Sequence, residues 1–108
     1  AALTSGFAEL EPFLLGVAEA NGHALRTIRP LMMNSDHANF ALAGIPAFRL
    51  VAGFDDPAAN LRLVLTEADT RDKVALSELR SAAALACAIT AAAQAADPAD
   101  AARWRRVD

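Results

Sequence analysis

The chain has few of the residues from which several common kinds of functional site are built. It contains a single cysteine, Cys87, which excludes a disulfide within the chain. Its two histidines, His23 and His37, do not occur in HxH, HxxxH or HxD spacing, so no self-sufficient zinc site is present in the sequence. A glycine-rich phosphate-binding loop is also absent.

The net charge and the aromatic content are also low. The net charge is -3, there is no tyrosine, and aromatic residues make up 6% of the chain. Such a chain offers no basic field or aromatic surface for nucleic acid, and we expect no nucleic-acid partner. The longest run of low polarity, residues 82–96, is shorter than the roughly 20 residues that cross a membrane. We interpret it as a buried or half-buried helix and expect no membrane partner.

The length and composition allow only a modest core. The chain has 108 residues and is 55% hydrophobic, but much of that fraction is alanine, which buries little area per residue. Residues 1–108 are therefore predicted to form a single segment, either one small domain or part of one. The sequence opens on Ala1 without an initiator methionine or a signal pattern, and we expect residues upstream of it.

Hydrophobic spacing predicts helices that alternate with strands. Leu10, Phe13, Leu14 and Val17 recur at helical spacing, and Asn21-Gly22 is a good helix stop. Further helices are predicted at residues 36–43, 77–96 and 100–104. The inner side of the longest one is assigned to Leu79, Ala82, Ala83, Leu85, Ala86 and Ile89. Strands are predicted at 23–29 and 47–52, with a brief strand or extended run at 61–65.

This order predicts an α/β fold in which helices cover a parallel or mixed sheet. Two or three strands make a poor sheet alone, because strands buried on both faces need neighbours. The chain is therefore expected to be the C-terminal portion of a larger α/β domain, or to be completed by another chain. Its partner would be the rest of that parent domain or a second copy of the chain.

Two polar clusters interrupt the apolar sequence. In the first, Asp36 could orient the imidazole of His37, and Ser35 could be a nucleophile. Neighbouring helical side chains point about 100° apart, however, so a catalytic triad would need other partners. Ser35 or Asp36 could equally cap a short helix, and both interpretations stay open. The second cluster, residues 66–73, is either a hydrogen-bonded turn or a functional loop.

Together the two clusters carry a family resemblance that covers about residues 24–96. Residues 35–47, SDHANFALAGIPA, resemble the SDHxxFxxxGIPA segment of the dizinc aminopeptidase family, which includes bacterial leucyl aminopeptidases and related glutaminyl cyclases. Residues 65–74, LTEADTRDKV, are similar to the HTxxDTxDKV segment of the same family. A long alanine-rich helix follows, as it does in the family.

The resemblance implies a three-layer α/β/α sandwich with a mixed sheet, only part of which this chain supplies. In such enzymes two zinc ions activate a water that attacks the first peptide bond of a peptide substrate, and a glutamate is the general base. By resemblance, Ser35, Asp36 and His37 belong to the rim of the active site or lie behind the metal ligands. The residues that shape the ligand loop would be Thr66, Asp69, Thr70 and Asp72. Most metal ligands would lie upstream.

One position departs from the family pattern. The last zinc ligand of the family is the histidine before the threonine of HTxxDT, and here that position is Leu65. Leucine cannot bind zinc. The parent protein is then a non-catalytic relative, or it binds metal differently or as one ion, or the alignment is shifted. We expect the isolated chain to bind no zinc and to have no peptidase activity. The alternative is a non-enzymatic interaction or assembly domain derived from this fold.

Overall fold

The computed structural model describes residues 1–54 and 56–106. Within these ranges, short strands alternate with helices in the first half of the chain, and helices dominate the second half. The elements in chain order are β1 (Ala2–Leu3), α1 (Leu10–Ala20), β2 (Thr27–Ile28), α2 (His37–Leu42), β3 (Arg49–Leu50), 3-10 turns at Asn60–Leu63 and Arg71–Lys73, α3 (Leu76–Ala95) and α4 (Pro98–Arg103). The predicted mixture of helix and strand is confirmed.

The three strands form a small mixed sheet in the order β2-β1-β3. β1 runs parallel to β2, with Leu3 opposite Ile28, and antiparallel to β3, with Leu3 opposite Arg49. The central strand was not predicted from the sequence, because two strand residues are too few to display an alternating pattern. Both of its residues are buried, and Ala2 belongs to the hydrophobic core.

Helix α1 supplies three of the seven residues that form the buried hydrophobic cluster in the described part of the chain. Its buried residues Leu10 and Leu14 pack with Phe7 and with Leu85 and Ile89 of α3. The predicted helix, expected between Phe7 and Asn21, is confirmed as Leu10–Ala20.

The predicted stop of α1 is also confirmed. Gly22, at a φ of 73°, donates its N–H to the carbonyl of Glu19 at 3.2 Å. The next N–H, that of His23, bonds the carbonyl of Ala18 at 2.8 Å. These two bonds define a Schellman motif, in which glycine takes the left-handed position without strain.

Helix α3 is more exposed than the sequence predicted. Of the six residues assigned to its inner side, only Leu85 and Ile89 are buried, and Leu79 is 57% exposed. The physical reason is that α3 packs chiefly against α1, and one neighbouring helix covers only a narrow stripe. The sequence also suggests Ser77 as the N-cap of this helix, which is wrong, since the helix begins at Leu76 after Ala75. By length and composition alone α3 could cross a membrane, a criterion that core helices of soluble proteins also meet.

The predicted strand at residues 61–65 is wrong. The structure has a 3-10 turn at Asn60–Leu63, with local bonds such as that from the N–H of Val64 to the carbonyl of Leu61. A run of β-prone residues forms a strand only where a neighbouring strand accepts its backbone groups, and here no sheet edge receives this run. The predicted strands at 23–29 and 47–52 are present but reduced to two residues each.

Candidate functional site

The parallel pair β1 and β2 defines one edge of the sheet where both strands end, which we call the carboxyl edge. Thr4 and Ser5 follow β1 there, and Arg29 follows β2. Because β3 is antiparallel to β1, its first residue, Arg49, lies at the same edge. In open α/β sheets, ligands bind outside the carboxyl ends of the strands. A ligand-binding site is therefore expected at the carboxyl edge.

The first polar cluster is fixed at this edge. Arg49 donates a hydrogen bond from Nη1 to Oδ1 of Asn34 at 2.9 Å, which ties the segment before α2 to the start of β3. Asp36 is the residue before α2, but its side chain makes no capping bond. Within the described ranges the side chains of Ser35 and Asp36 are exposed and have no hydrogen-bond partner. The capping interpretation of these two residues is therefore wrong in this structure.

His37 has an unusual environment. Both of its ring nitrogens are buried, and neither has a hydrogen-bond partner among the described residues. The same holds for the hydroxyl of Ser5, whose residue is 8% exposed and has a φ of 58°. A buried polar atom without a partner costs about 1–3 kcal/mol, and such atoms are rare in native proteins. Ser5, at the carboxyl edge, and His37, three residues after Asn34, are thus suited to bond a further group.

A bonded cluster of polar side chains supports the same edge. The carboxylate of Glu11, in the first turn of α1, accepts hydrogen bonds from Thr4 Oγ1 at 3.3 Å, Thr27 Oγ1 at 2.9 Å and Arg29 Nε at 2.8 Å. These bonds join α1 to both parallel strands. From the sequence alone, Glu11 is only a favourable charge near the helix N-terminus. Its partners could not be found without knowledge that β1 exists.

The second polar cluster forms a hydrogen-bonded turn, one of the two interpretations of residues 66–73. Asp69 accepts a bond from the N–H of Leu65 at 3.3 Å. The hydroxyl of Thr70 donates to Asp72, and Lys73 bonds the same carboxylate at 3.1 Å. The Thr70 bond is the largest cause of a lowered pKa at Asp72, and Lys73 adds to it. The other member of this cluster, Thr66, bonds the carbonyl of Leu63.

Leu65, at the family's metal-ligand position, is a conformational outlier. Its φ is 62° and its side chain is 96% exposed. A left-handed conformation costs a branched residue other than glycine about 1–2 kcal/mol. The loop therefore holds residue 65 outward against its own backbone preference.

Within its described ranges the structure shows no bond between the two polar clusters. Ala52, two residues after β3, and Glu78, in the first turn of α3, line one pocket at the opposite edge of the sheet. Among the described residues, no hydrogen bond or ion pair joins Ser35–His37 to Thr66–Lys73.

The described side chains do not fit a pair of zinc ions. Within residues 1–54 and 56–106, no group of three or more His, Cys, Asp or Glu side chains is placed to hold a metal ion. Leu65 offers only hydrocarbon, and the carboxylate of Asp72 is bonded to Thr70 and Lys73. Comparison with protein-family models, with curated proteins and with solved structures finds no match to this chain.

Proposed function

We propose that this chain is the C-terminal segment of a zinc-dependent aminopeptidase-like hydrolase and contributes one part of a three-layer α/β/α sandwich. In this proposal the carboxyl edge of the sheet is the part of the active-site rim that these residues supply. The isolated chain is not catalytically competent, because the zinc ligands and the general base belong to the remainder of the domain. The motifs at residues 35–47 and 65–74 suggest the family.

One observation carries the proposal: the hydrogen bond from Arg49 to Asn34 ties the residue before Ser35–His37 to the carboxyl edge. That edge is where α/β sheets bind their ligands, which supports a role of this segment in a rim. The absence of a capping bond leaves the Asp36 carboxylate without an internal structural role.

Asp36 and His37 each have a role that fits peptide hydrolysis. A peptide with a free amino end carries a positive charge, and the exposed carboxylate of Asp36 can accept charge-assisted hydrogen bonds from it. His37 would orient a neighbouring group once one of its buried nitrogens gains a partner. Zinc, when bound by the remainder of the domain, would supply the activated water. Leu65 leaves the metal set without its last histidine, so a parent with one metal ion fits this sequence as well.

Asp36→Asn in the full gene product that contains residues 1–108 tests this role. We expect chelator-sensitive hydrolysis of leucyl-p-nitroanilide by the unchanged protein, and a fall in kcat/KM of at least about tenfold for Asp36→Asn, since one charge-assisted bond is worth about 1.5–3 kcal/mol. Glu19→Gln is the matched control, because Glu19 is an exposed carboxylate on α1 away from this edge. Equal kcat/KM values for the two variants would show that Asp36 does not contribute to the active-site rim.

A second candidate, a non-enzymatic assembly domain, is favoured by the exposed apolar surface. Several large apolar side chains are more than half exposed, and the three-strand sheet has open edges at β2 and β3. These side chains are Met33, Phe40, Leu42, Val64, Leu65, Val74, Leu76 and Leu79. Exposed surface of this kind marks interaction sites or leads to association.

Light scattering of the isolated chain separates the two candidates. An assembly domain is expected to form a defined oligomer whose size is constant over a wide concentration range. A strict monomer at high concentration contradicts assembly and leaves the hydrolase segment as the better account.

A further inference from the structure

At the amino end of β1, opposite the carboxyl edge, the sheet contains a slot one strand wide. The slot is a pocket of about 250 Å³. Ala24 and Leu25 line it on the β2 side, and Val51 and Ala52 line it on the β3 side. Each flanking segment neighbours β1 at one strand spacing, so the two walls are roughly 9.5 Å apart. That distance accommodates one additional extended chain.

The hydrogen-bond ladders of β1 run up to this slot on both sides. Val51 donates to the carbonyl of Ala1 at 2.9 Å, and Ala1 donates back to the carbonyl of Val51 at 2.8 Å. On the other side, Ala2 donates to the carbonyl of Arg26 at 2.7 Å. In a parallel ladder the next bond of this series would go to the carbonyl of Ala24, two residues earlier.

The third side of the slot belongs to α3, where Glu78 and Ser81 are polar and Ala82 and Leu85 are apolar. Ala2 packs in the same core cluster as Leu85. Side chains alternate between the faces of a strand, so a residue two positions before Ala2 would face Leu85 as well. The slot therefore favours an apolar side chain at that position.

The amino group at the inner end of the slot is poorly suited to carry its charge. Burial lowers the pKa of the Ala1 α-amino group, and the positive charge of Arg26 lowers it further.

We propose that the slot binds an extended peptide strand from the remainder of the domain. This strand lies in line with β1 and pairs with the backbone on both sides. Its residue next to Ala1 is apolar and packs against Leu85. The inference rests on the proposed function, which makes this chain part of a larger domain. The inference adds where this strand meets β1 and that the side chain next to Ala1 is apolar.

Short N-terminal extensions of the full chain test the slot directly. Thr-Thr-Val, Thr-Thr-Asp and Gly-Ser-Gly are each placed before Ala1, and the Tm of each protein is measured. We expect Thr-Thr-Val to raise the Tm by about 5 °C relative to Gly-Ser-Gly. Thr-Thr-Asp should lose most of this gain, because its carboxylate would face Leu85 without a partner.

Amide hydrogen exchange gives a second, local readout on the same proteins. The N–H of the added valine is expected to exchange at least about tenfold more slowly than that of the matching glycine, since it bonds the carbonyl of Ala24. Equal Tm values and equal exchange rates for all extensions would overturn the slot proposal, whatever the peptidase assay shows. A Tm gain together with an inactive gene product would instead refute only the proposed function.

Discussion

Glu11 joins helix α1 to both strands of the parallel pair, and its removal is the sharpest test of how the carboxyl edge is held. Its side chain is only 12% exposed, and its carboxylate accepts three hydrogen bonds. Glu11→Ala deletes all three acceptor contacts at once. The hydroxyl of Thr27 then loses a partner in a half-buried position.

The loss of stability expected for Glu11→Ala follows from the three hydrogen bonds. Hydrogen bonds to a charged group contribute about 1.5–3 kcal/mol each when buried. The Thr27 bond, at 2.9 Å, should reach that range, whereas the Thr4 bond at 3.3 Å is longer and weaker. Arg29 is 58% exposed, so solvent limits its ion pair to about 1 kcal/mol or less. The sum is roughly 3 kcal/mol, which corresponds to a fall in Tm of about 12 °C for a domain of this size.

Thermal unfolding followed by circular dichroism measures this loss. Glu19→Ala removes a carboxylate from the same helix at an exposed position and should change stability by no more than about 0.5 kcal/mol. Glu11→Gln keeps the size but halves the number of acceptor oxygens, and an intermediate Tm is expected. If Glu11→Ala and Glu19→Ala unfold at the same temperature, the hydrogen bonds of Glu11 do not stabilise the carboxyl edge.

Three further predictions concern the core, the strained loop and the titration of Asp72. Leu14→Ala should cost about 2–5 kcal/mol because Leu14 is fully buried, whereas Leu15→Ala, 38% exposed, should cost about 1 kcal/mol or less in urea unfolding. Leu65→Asn should raise stability by about 0.5–1 kcal/mol, since asparagine tolerates the left-handed conformation, and an unchanged or lower midpoint contradicts strain at Leu65. The lowered pKa of Asp72 means that its contribution is present above the unfolded pKa and is lost as the pH falls through the folded pKa. NMR titration should show the Asp72 midpoint move upward in Thr70→Val, and an unmoved midpoint contradicts the hydroxyl as the cause.

Local signals were sufficient to predict the helices. The spacing of Leu10 and Leu14 and the Asn21-Gly22 stop depend on interactions within a few residues, and α1 appears with the predicted end. The long helix was predicted to end at residue 96, just before Asp97-Pro98, and α3 stops at Ala95. Helices form their own hydrogen bonds, so sequence alone carries much of the information that defines them.

The sheet could not be predicted in the same way, because a strand depends on partners distant in sequence. Ala2–Leu3 has no pattern of its own and becomes the central strand only through β2 and β3. Residues 61–65 have strand-like composition, yet they form a 3-10 turn because no sheet edge receives them. The exposure of Leu79 likewise depends on which neighbours α3 has.

The sequence was sufficient to predict some of the residues in the candidate site, but not how they are arranged. The motif pointed to Ser35, Asp36 and His37, but the sequence left capping and site roles equally open. The absence of a cap bond and the buried, unpartnered nitrogens of His37 are visible only in three dimensions. Ser5 was missed because nothing in the sequence shows that its hydroxyl is buried without a partner.

The proposal that these residues are an incomplete part of a zinc aminopeptidase-like hydrolase is tested most directly by one paired assay. Hydrolysis of leucyl-p-nitroanilide is measured with and without a chelator for the isolated chain of 108 residues and for the full gene product that contains it. We predict no hydrolysis by the isolated chain and chelator-sensitive hydrolysis by the full product. Chelator-sensitive hydrolysis by the isolated chain, or none by the full product, would contradict it.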